Sequence, residues 1–120
     1  MADRILFLSW SAPVRGREER SLEVFNEALG TLGRRQQEGQ IESFDVCLLA
    51  PNAGIAGYIQ IRGSSEQING LREDPEFKRS TADASLIVEN LQHILGYCNE
   101  GVAAQMQLYQ DAISKVPQLH

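Results

Sequence analysis

The stretch FDVCLLAPNAGIAGYIQIRG, residues 44–63, decides the predicted fold because it describes two strands joined by a tight turn. β-branched and aromatic residues flank PNAG, which is a run of turn-forming residues. We therefore predict strands at 41–50 and 55–62 that form an antiparallel hairpin. A four-residue loop places Ala50 opposite Ile55, and that innermost pair sets the register of all the others.

This register gives the hairpin two faces of different composition. On one face every residue is apolar, in the pairs Phe44 with Ile61, Val46 with Ile59 and Leu48 with Gly57. The other face is mixed, in the pairs Ser43 with Arg62, Asp45 with Gln60, Cys47 with Tyr58 and Leu49 with Ala56. A slip of one residue would turn one strand's apolar set away from the core, so burial of the apolar face favours this register.

The composition of the mixed face raises the question whether it forms a binding site. Its tyrosine, leucine, alanine and cysteine are too apolar for open water. Its aspartate, glutamine and arginine are too polar for a dry core, where burial without partners is costly. Such a surface is typical of a partly hydrated cavity or a dimer interface. The alternative is a sheet face that is simply exposed to solvent, as in many antiparallel sheets.

The segment before the hairpin predicts a strand and a helix. The range Arg4–Ser11 is rich in residues that suit a buried strand. A helix is predicted from about Arg17 to a stop at Gly39. Its apolar stripe, with spacings of three and four residues, consists of Leu22, Phe25, Leu29 and Leu32.

Two capping signals follow the hairpin. Ser64 and Gln67 have the spacing of a capping box. Asp74 before Pro75 combines a helix cap with proline at the first helical position. The residues expected to face inward from the helix after Pro75 are Phe77, Ala84, Ile87 and Val88.

The last quarter of the chain predicts a strand and a final helix. ENLQHILGYCN, residues 89–99, is interpreted as a fourth strand, although Leu91 to Leu95 could also continue the preceding helix. The final helix, at about 101–116, has an apolar stripe at helical spacing. That stripe consists of Val102, Met106, Tyr109, Ile113 and Val116.

The order strand, helix, strand, strand, helix, strand is the split βαβ pattern of a ferredoxin-like domain. We predict a single α+β domain over residues 1–120, with a four-stranded antiparallel sheet. The helix at about 101–116 is an extension of it. Helices on one side of the sheet leave the other face open.

This element order, with DPEF at 74–77 and QHILGYCNEG at 92–101, resembles the dimeric α+β barrel superfamily. That group includes antibiotic-biosynthesis-monooxygenase-like, muconolactone-isomerase-like, EthD-like and YCII-like domains. The resemblance covers about residues 4–100. It implies a homodimer in which two ferredoxin-like subunits set their open sheet faces together, with a cavity in each half.

The resemblance does not select a family within that group. A close YCII-like match implies a His–Asp pair near the site, but the internal histidine of this chain, His93, lies on the predicted fourth strand. No catalytic residue is therefore carried over by motif. These families include enzymes, binding proteins and proteins of unknown role, so the fold alone does not give a function.

Composition excludes several classes of function. With 120 residues and a net charge of −5, the chain lacks the clustered positive charge that a nucleic-acid binder needs. No apolar run is long enough to cross a membrane, and the first ten residues read as a strand and not as a secretion signal. The two cysteines, Cys47 and Cys98, have no ligand spacing and are expected to be free thiols in the cytoplasm. Metal and nucleotide motifs are absent too, so we expect no metal and no cofactor.

The candidate site residues come from the mixed face and from the first and fourth strands. The catalytic candidates are His93 and Asp45, and the ligand-binding candidates are Cys47, Tyr58, Gln60, Arg62, Trp10 and Tyr97. His93 titrates near neutral pH, but strand alternation does not decide whether its side or that of Gln92 and Ile94 faces the cavity. Structural roles stay open for all of them: a hydrogen-bonded histidine, a cross-strand polar cluster, an inert thiol and a core tryptophan. The second histidine, His120, is terminal and is expected to be mobile.

Three functions fit this sequence. The first is a cytoplasmic homodimer that holds a small, partly apolar organic molecule in a cavity on the open sheet face. The second is a cofactor-independent enzyme of the monooxygenase or isomerase kind, with His93 or Asp45 as base and Arg62 stabilising an anion. The third is a domain whose open face serves assembly alone. Whether the protein is an enzyme stays open.

Overall fold

The computed structural model describes residues 1–117 and residue 119, so His120 lies outside the described part. Within that part the chain forms four strands and four helices. In chain order they are β1 (Arg4–Trp10), α1 (Glu18–Gln37), β2 (Ser43–Leu48), β3 (Gly57–Gly63), α2 (Ser65–Glu73), α3 (Pro75–Ser85), β4 (Gln92–Tyr97) and α4 (Glu100–Ile113). This is the predicted α+β pattern with its extra C-terminal helix, and the second helical segment is divided in two at Asp74.

The four strands form one antiparallel sheet in the order β2-β3-β1-β4. The predicted hairpin register is confirmed, because Phe44 lies opposite Ile61 and Val46 opposite Ile59. The strands are shorter at the turn than predicted. At the turn the Ala56 amide donates to the Trp10 carbonyl oxygen at 2.7 Å instead of across the hairpin, and the Asn52 side-chain amide donates to the carbonyl oxygens of Ala50 and Ile55 at 2.8 and 2.7 Å.

The core lies between the sheet and helices α1, α2 and α3. Alternation along β1 turns Leu6 and Leu8 towards the helices, where they meet the inward residues of β3. The largest fully buried side chains are Leu6, Leu32, Ile41, Ile61 and Ile68. Each such side chain stabilises the fold by about 1.5–3 kcal/mol relative to an exposed one.

The predicted helix caps are present. The Gln67 amide donates to the Ser64 hydroxyl at 3.1 Å, and the Gln67 side chain accepts from the Ser64 amide at 2.8 Å, which completes the capping box of α2. Asp74 caps α3 by accepting from the backbone amides of Glu76 and Phe77 at 2.9 and 3.3 Å. These bonds satisfy amides that a helix start leaves without partners.

The end of α1 is joined to the start of α3 by a cluster that we call the charged latch. It consists of Thr31, Arg34, Arg35, Asp74 and Glu76. Arg35 Nε donates to Asp74 Oδ2 at 2.6 Å, and the two side chains are only 14 and 13% exposed. The guanidinium of Arg35 is the main reason why the pKa of Asp74 lies below its ordinary value. The carboxylate is therefore charged at neutral pH and holds the two helices together.

Helix α4 is fixed at its base and projects from the rest of the molecule. The Asn99 side chain donates to the Ala2 carbonyl at 2.7 Å. At Gly101 the first turn lies so close to the start of β1 that a Cβ there would collide with the Asp3 carbonyl oxygen. The main packing partner of α4 is β4, the strand that precedes it. The molecule measures 54 Å in its longest dimension and 23 Å in its shortest.

Candidate functional site

A cavity of about 480 Å³ lies on the helix side of the sheet. It is bounded by the first half of α1, by one face of α3 and by the inward faces of the strands. Its wall is almost wholly apolar, and residues from every side include Leu8, Phe25, Ile59, Ala84 and Ile87. A volume of this size is in the range that binds small organic molecules.

Small residues on α3 create this space. The stripe that α3 turns towards the sheet consists of Phe77, Ser80, Thr81 and Ala84, spaced as one helix face. After Phe77 none of these side chains is large enough to reach the core. On α1 the Ser21 hydroxyl donates to the Ile87 carbonyl at 3.1 Å, which ties the far end of α3 to α1 without filling the gap.

His93 is a polar group in this apolar wall. It pairs with Leu8 across the β1–β4 ladder, which places it on the helix side of the sheet. Its ring centroid lies 5.9 Å from that of Phe77. The residue is exposed in the single chain, but partial burial of the ring, and then the positive charge of Arg72, lowers the pKa of the imidazole. A neutral imidazole at pH 7 offers one hydrogen-bond donor and one acceptor.

Trp10 closes one end of the cavity and also packs against the core. Its ring meets Phe25 edge-on, with 5.8 Å between the ring centroids. The ring can lie against β3 because position 57 is glycine. A Cβ at Gly57 would stand 2.9 Å from the Trp10 ring and 2.8 Å from the Cys47 carbonyl oxygen. Both roles considered for Trp10, pocket wall and core residue, are therefore present.

The open face of the sheet carries the other predicted residues. Asp45, Cys47, Tyr58, Gln60 and Arg62 share this face, as the hairpin register requires. Asp45 and Arg62 form an ion pair. A hydrogen bond with Cys47 is the first reason why the pKa of Tyr58 lies above its ordinary value.

Aromatic stacking continues this face onto β1. The ring of Tyr58 lies over that of Phe7, with centroids 5.1 Å apart. On β4 the side chain of Ile94 belongs to the same face and is 48% exposed. The open face thus has an apolar strip along the middle strands and an ion pair beside it, an arrangement typical of protein interfaces.

The structure does not bring the predicted residues into one site. Trp10, His93 and Tyr97 lie on the helix side, whereas the five hairpin residues lie on the open side. The sequence predicts that these residues line a single site on the open face. This prediction is corrected, because the β1–β4 register turns Gln92 and Ile94 to the open face, so His93 and Tyr97 lie on the helix side. Trp10 and His93 share the cavity wall.

Tyr97 lies apart from the cavity. It pairs with Arg4, whose guanidinium carbon stands 4.8 Å from the centre of the Tyr97 ring. Four residues of extended strand separate it from His93, which is about 13 Å. Tyr97 is therefore placed as a cation–π partner at the other end of β4.

The sequence interpretation missed the small residues that open the cavity. Ser80 and Thr81 were not singled out, and Ala84 was expected only to face inward. The signal was present in the spacing, because three small residues follow Phe77 along one helix face. Small inward residues opposite a sheet leave a void unless large side chains from the partner elements fill it.

In the described residues, 1–117 and 119, neither a metal-binding cluster nor a membrane-spanning helix is present. No group of three or more histidine, cysteine, aspartate or glutamate side chains lies close enough together there to hold a metal ion. None of the helices in that part of the chain is both long and apolar enough to span a membrane.

The comparisons with known proteins identify a fold and no family. No family model matches the chain, and no curated protein matches it. A dimeric ferredoxin-like protein of unknown function from Bacteroides fragilis matches with a TM-score of 0.57 over 79% of this chain and 96% of its own, at 12% identity. A dimeric ferredoxin-like protein from Thermobifida fusca has a TM-score of 0.55 over 82 and 93%, at 7% identity.

A third solved structure carries a functional description. SnoaB, a cofactor-independent oxygenase from Streptomyces nogalater, matches with a TM-score of 0.54 over 82% of this chain and 95% of its own, at 16% identity. At these identities the likeness concerns the fold. The chain therefore has the ferredoxin-like α+β fold that these proteins have, which confirms the predicted fold class and the predicted resemblance at that level.

Proposed function

We propose that this protein is a homodimer that binds a small, uncharged and largely apolar organic molecule in the cavity between the sheet and helices α1 and α3. The observation that carries the proposal is the cavity of about 480 Å³, whose wall is apolar apart from a few groups such as His93. Burying apolar ligand surface there is favourable by about 25 cal/mol per Å². A charged ligand would lose its hydration without gaining a partner.

The role of His93 in this proposal is to orient the ligand. Its lowered pKa keeps the imidazole neutral at pH 7. A neutral imidazole can accept from a hydroxyl or donate to a carbonyl, and the apolar wall offers few competing groups. The preferred ligand is therefore an apolar skeleton with one hydroxyl or carbonyl group at the His93 end.

The test uses the neutral dye N-phenyl-1-naphthylamine and the single tryptophan of the chain. Trp10 lines the cavity, so a dye bound there accepts energy from Trp10. Replacing Ala84 with leucine fills the cavity and should weaken dye binding at least about tenfold. The matched control is Ala82→Leu, an exposed position on the same helix. Equal binding by the two variants would contradict the proposed location.

The orienting role has its own test. We expect His93→Leu to weaken the binding of 1-naphthol about three- to tenfold, the worth of one hydrogen bond, and to leave 1-methylnaphthalene unchanged. Equal losses for both molecules would mean that His93 contributes packing only. Mass spectrometry of small molecules that co-purify with the protein identifies the natural ligand.

The dimer part of the proposal rests on the open face. Phe7, Tyr58 and Ile94 form an apolar strip that a second copy would cover. Two of the solved structures with this fold are described as dimeric. Light scattering after size-exclusion chromatography should give twice the 13.3 kDa of one chain. A single-chain mass would contradict the homodimer.

An enzymatic role is the second candidate, favoured by the presence of a neutral imidazole in an apolar cavity. SnoaB is described as a cofactor-independent oxygenase. Of the two proposed bases, only His93 lines the cavity, since Asp45 is paired with Arg62 on the other face. A base at His93 would exchange solvent deuterium into the α-carbon of bound 1-tetralone, and His93→Leu would abolish the exchange. If deuterium exchanges into 1-tetralone only at the uncatalysed rate, the protein is a binding protein and not an enzyme of this kind. If no small molecule binds in the cavity, a role in assembly alone is favoured.

We infer a cytoplasmic location from the thiols. Cys47 and Cys98 are both free, and neither is fully buried. Such thiols persist where glutathione keeps proteins reduced. Fractionation of the host cell should find the protein with soluble cytoplasmic markers, and recovery from an oxidising compartment would contradict this inference.

A further inference from the structure

Helix α4 carries an apolar stripe that its own chain leaves exposed. Val102, Met106 and Tyr109 lie on one helix face and are 48, 52 and 62% exposed. The helix is about 21 Å long, and its first turn lies against the start of β1 at Gly101. The radius of gyration of 17.0 Å exceeds the roughly 14 Å expected for a compact chain of this length. An exposed stripe of this kind marks an interaction surface.

We propose that α4 docks on a second copy of this chain and covers the mouth of that copy's apolar cavity. This inference rests on the homodimer proposed above. The acceptor would be the apolar rim formed by Leu22 and Leu48, which line the cavity and are 65 and 70% exposed. Each copy would then complete the binding site of the other.

The charges on α4 argue against two other occupants. From Glu100 to Lys115 the charged residues are two acidic ones, Glu100 and Asp111, and one basic one, Lys115. Helices that lie on membranes have a polar face rich in lysine and arginine. Binding to phosphates requires the same positive charge. An uncharged apolar stripe instead fits an uncharged apolar surface such as the cavity rim.

The position of α4 explains why the acceptor belongs to another copy. Its base lies beside Asp3, at the end of the sheet where β1 begins. Leu48 lies at the other end, where it pairs with Gly57 beside Trp10, and the length of β1 separates these ends by about 20 Å. A two-fold axis perpendicular to the strands places the Asp3 end of one copy against the Trp10 end of the other. The contact is then made twice, as a symmetric dimer requires.

The comparisons agree with an added element of this kind. The solved structures match 79–82% of this chain but 93–96% of their own length. About a fifth of this chain thus lies outside the shared fold. The segment from α4 to the end, residues 100–120, has that length. In a homodimer, a helix that is added to the shared fold always has a second copy of the chain nearby to contact.

The test compares two variants that add one negative charge to α4. Met106→Glu places the charge in the apolar stripe, and Ala104→Glu places it on the opposite side of the same helix. We expect Met106→Glu to raise the dimer dissociation constant at least about tenfold in sedimentation experiments and to weaken dye binding. Ala104→Glu should change neither. Equal effects of both variants, or no effect of Met106→Glu, would overturn the proposal.

Cross-linking tests the contact itself. In a chain with Cys47→Ser and Cys98→Ser, the pair Met106→Cys and Leu22→Cys should form disulfides between chains, shown by mixing isotope-labelled and unlabelled protein. The pair Ala104→Cys and Leu22→Cys should not. A dimer without these cross-links would overturn this inference and leave the homodimer in place, whereas a monomer would overturn both. Cross-links in a protein that binds no dye would support the docking and contradict the proposed ligand site.

Discussion

Helices α1 and α3 meet in different ways at their two ends. At one end the charged latch joins them, with Arg35 and Asp74 only 14 and 13% exposed. At the other end small residues of α3 face α1 across the cavity. The ties there include the Ser21 bond to the Ile87 carbonyl, a bond from the Arg17 guanidinium to the Leu86 carbonyl at 2.6 Å, and an exposed pair between Arg20 and Asp83 at 3.6 Å. One end contributes to stability through charge and caps, whereas the other end leaves space.

This difference indicates that one end of the helix pair serves stability and the other end serves ligand binding. A protein under selection for stability alone tends to fill a void of this size, because lost packing contacts cost free energy. The latch fixes the separation of the helices without occupying the cavity. Changes at the latch should therefore alter stability, and changes at the cavity should alter binding as well.

The largest effect is expected at the cavity end, from Gly57→Ala. The new methyl group would stand within 3 Å of both the Cys47 carbonyl oxygen and the Trp10 ring. Relief requires a shift of the strand or of Trp10 into the cavity, so we expect a loss of about 3 kcal/mol in the free energy of unfolding, measured by urea titration. The control is Gly70→Ala, where nothing lies within 4 Å of the new group. A loss no greater than that of the control would mean that the close approach is easily relieved.

The next effect is expected at the latch, from Asp74→Ala. Removal of the cap of α3 costs about 1 kcal/mol, and loss of the Arg35 pair, which is screened near the surface, costs about 1 kcal/mol more. Dye binding should stay within a factor of two. The control is Lys78→Ala, which breaks an exposed pair with Glu73. Loss of dye binding in folded Asp74→Ala protein would break the proposed division between the two ends.

A smaller effect of opposite sign is expected from Ala84→Leu. Filling part of the cavity adds buried apolar surface, so thermal unfolding should indicate a gain of about 1 kcal/mol. Together with the loss of dye binding, this gain would show that the space is kept for a ligand at a cost in stability. Destabilisation by Ala84→Leu would mean instead that the cavity cannot accept the side chain.

The smallest effect is the pH dependence that His93 contributes. Its folded-state pKa lies below the ordinary 6.5, so between the two values the unfolded chain binds more protons. Stability should therefore fall as pH decreases through about 6.5, and His93→Leu should flatten that slope. Asp74 acts in a lower window, because its lowered pKa stabilises the fold above 3.8 and that contribution is lost as pH falls through the folded-state value.

His120→Gln is the control for this profile, since it removes the other imidazole of the chain. If the pH dependence of stability persists in His93→Leu and disappears in His120→Gln, the titrating group is His120. This outcome would contradict the role given to His93. Urea titrations at a series of pH values between 4.5 and 8 give both profiles.

The hairpin and the helix starts could be predicted because their determinants are local. Burial of one apolar face allows a single register, and Asp74 before Pro75 combines two independent signals for a helix start. The faces of β4 could not be assigned in this way. Both His93 with Leu95 and Gln92 with Ile94 are mixed sets, and only pairing with β1 decides which set meets the helices.

The cavity and the latch depend on contacts between distant segments. Arg35 and Asp74 are far apart in the chain, and nothing local indicates that they meet. The cavity is the space left between α1, α3 and the sheet, so it depends on helix separation as well as on side-chain size. The small residues Ser80, Thr81 and Ala84 were a usable signal, but only once α3 was known to cover this part of the sheet.

The glycine at position 101 makes the direction of α4 depend on one residue. Because a side chain there would collide with the Asp3 carbonyl oxygen, any larger residue must tilt the helix or lift the first strand. The stripe on α4 would stay the same while the helix pointed elsewhere. A single substitution at position 101 could thus change the direction of α4 without changing the residues of its apolar stripe. Engineering or evolutionary divergence could use this position to redirect the helix.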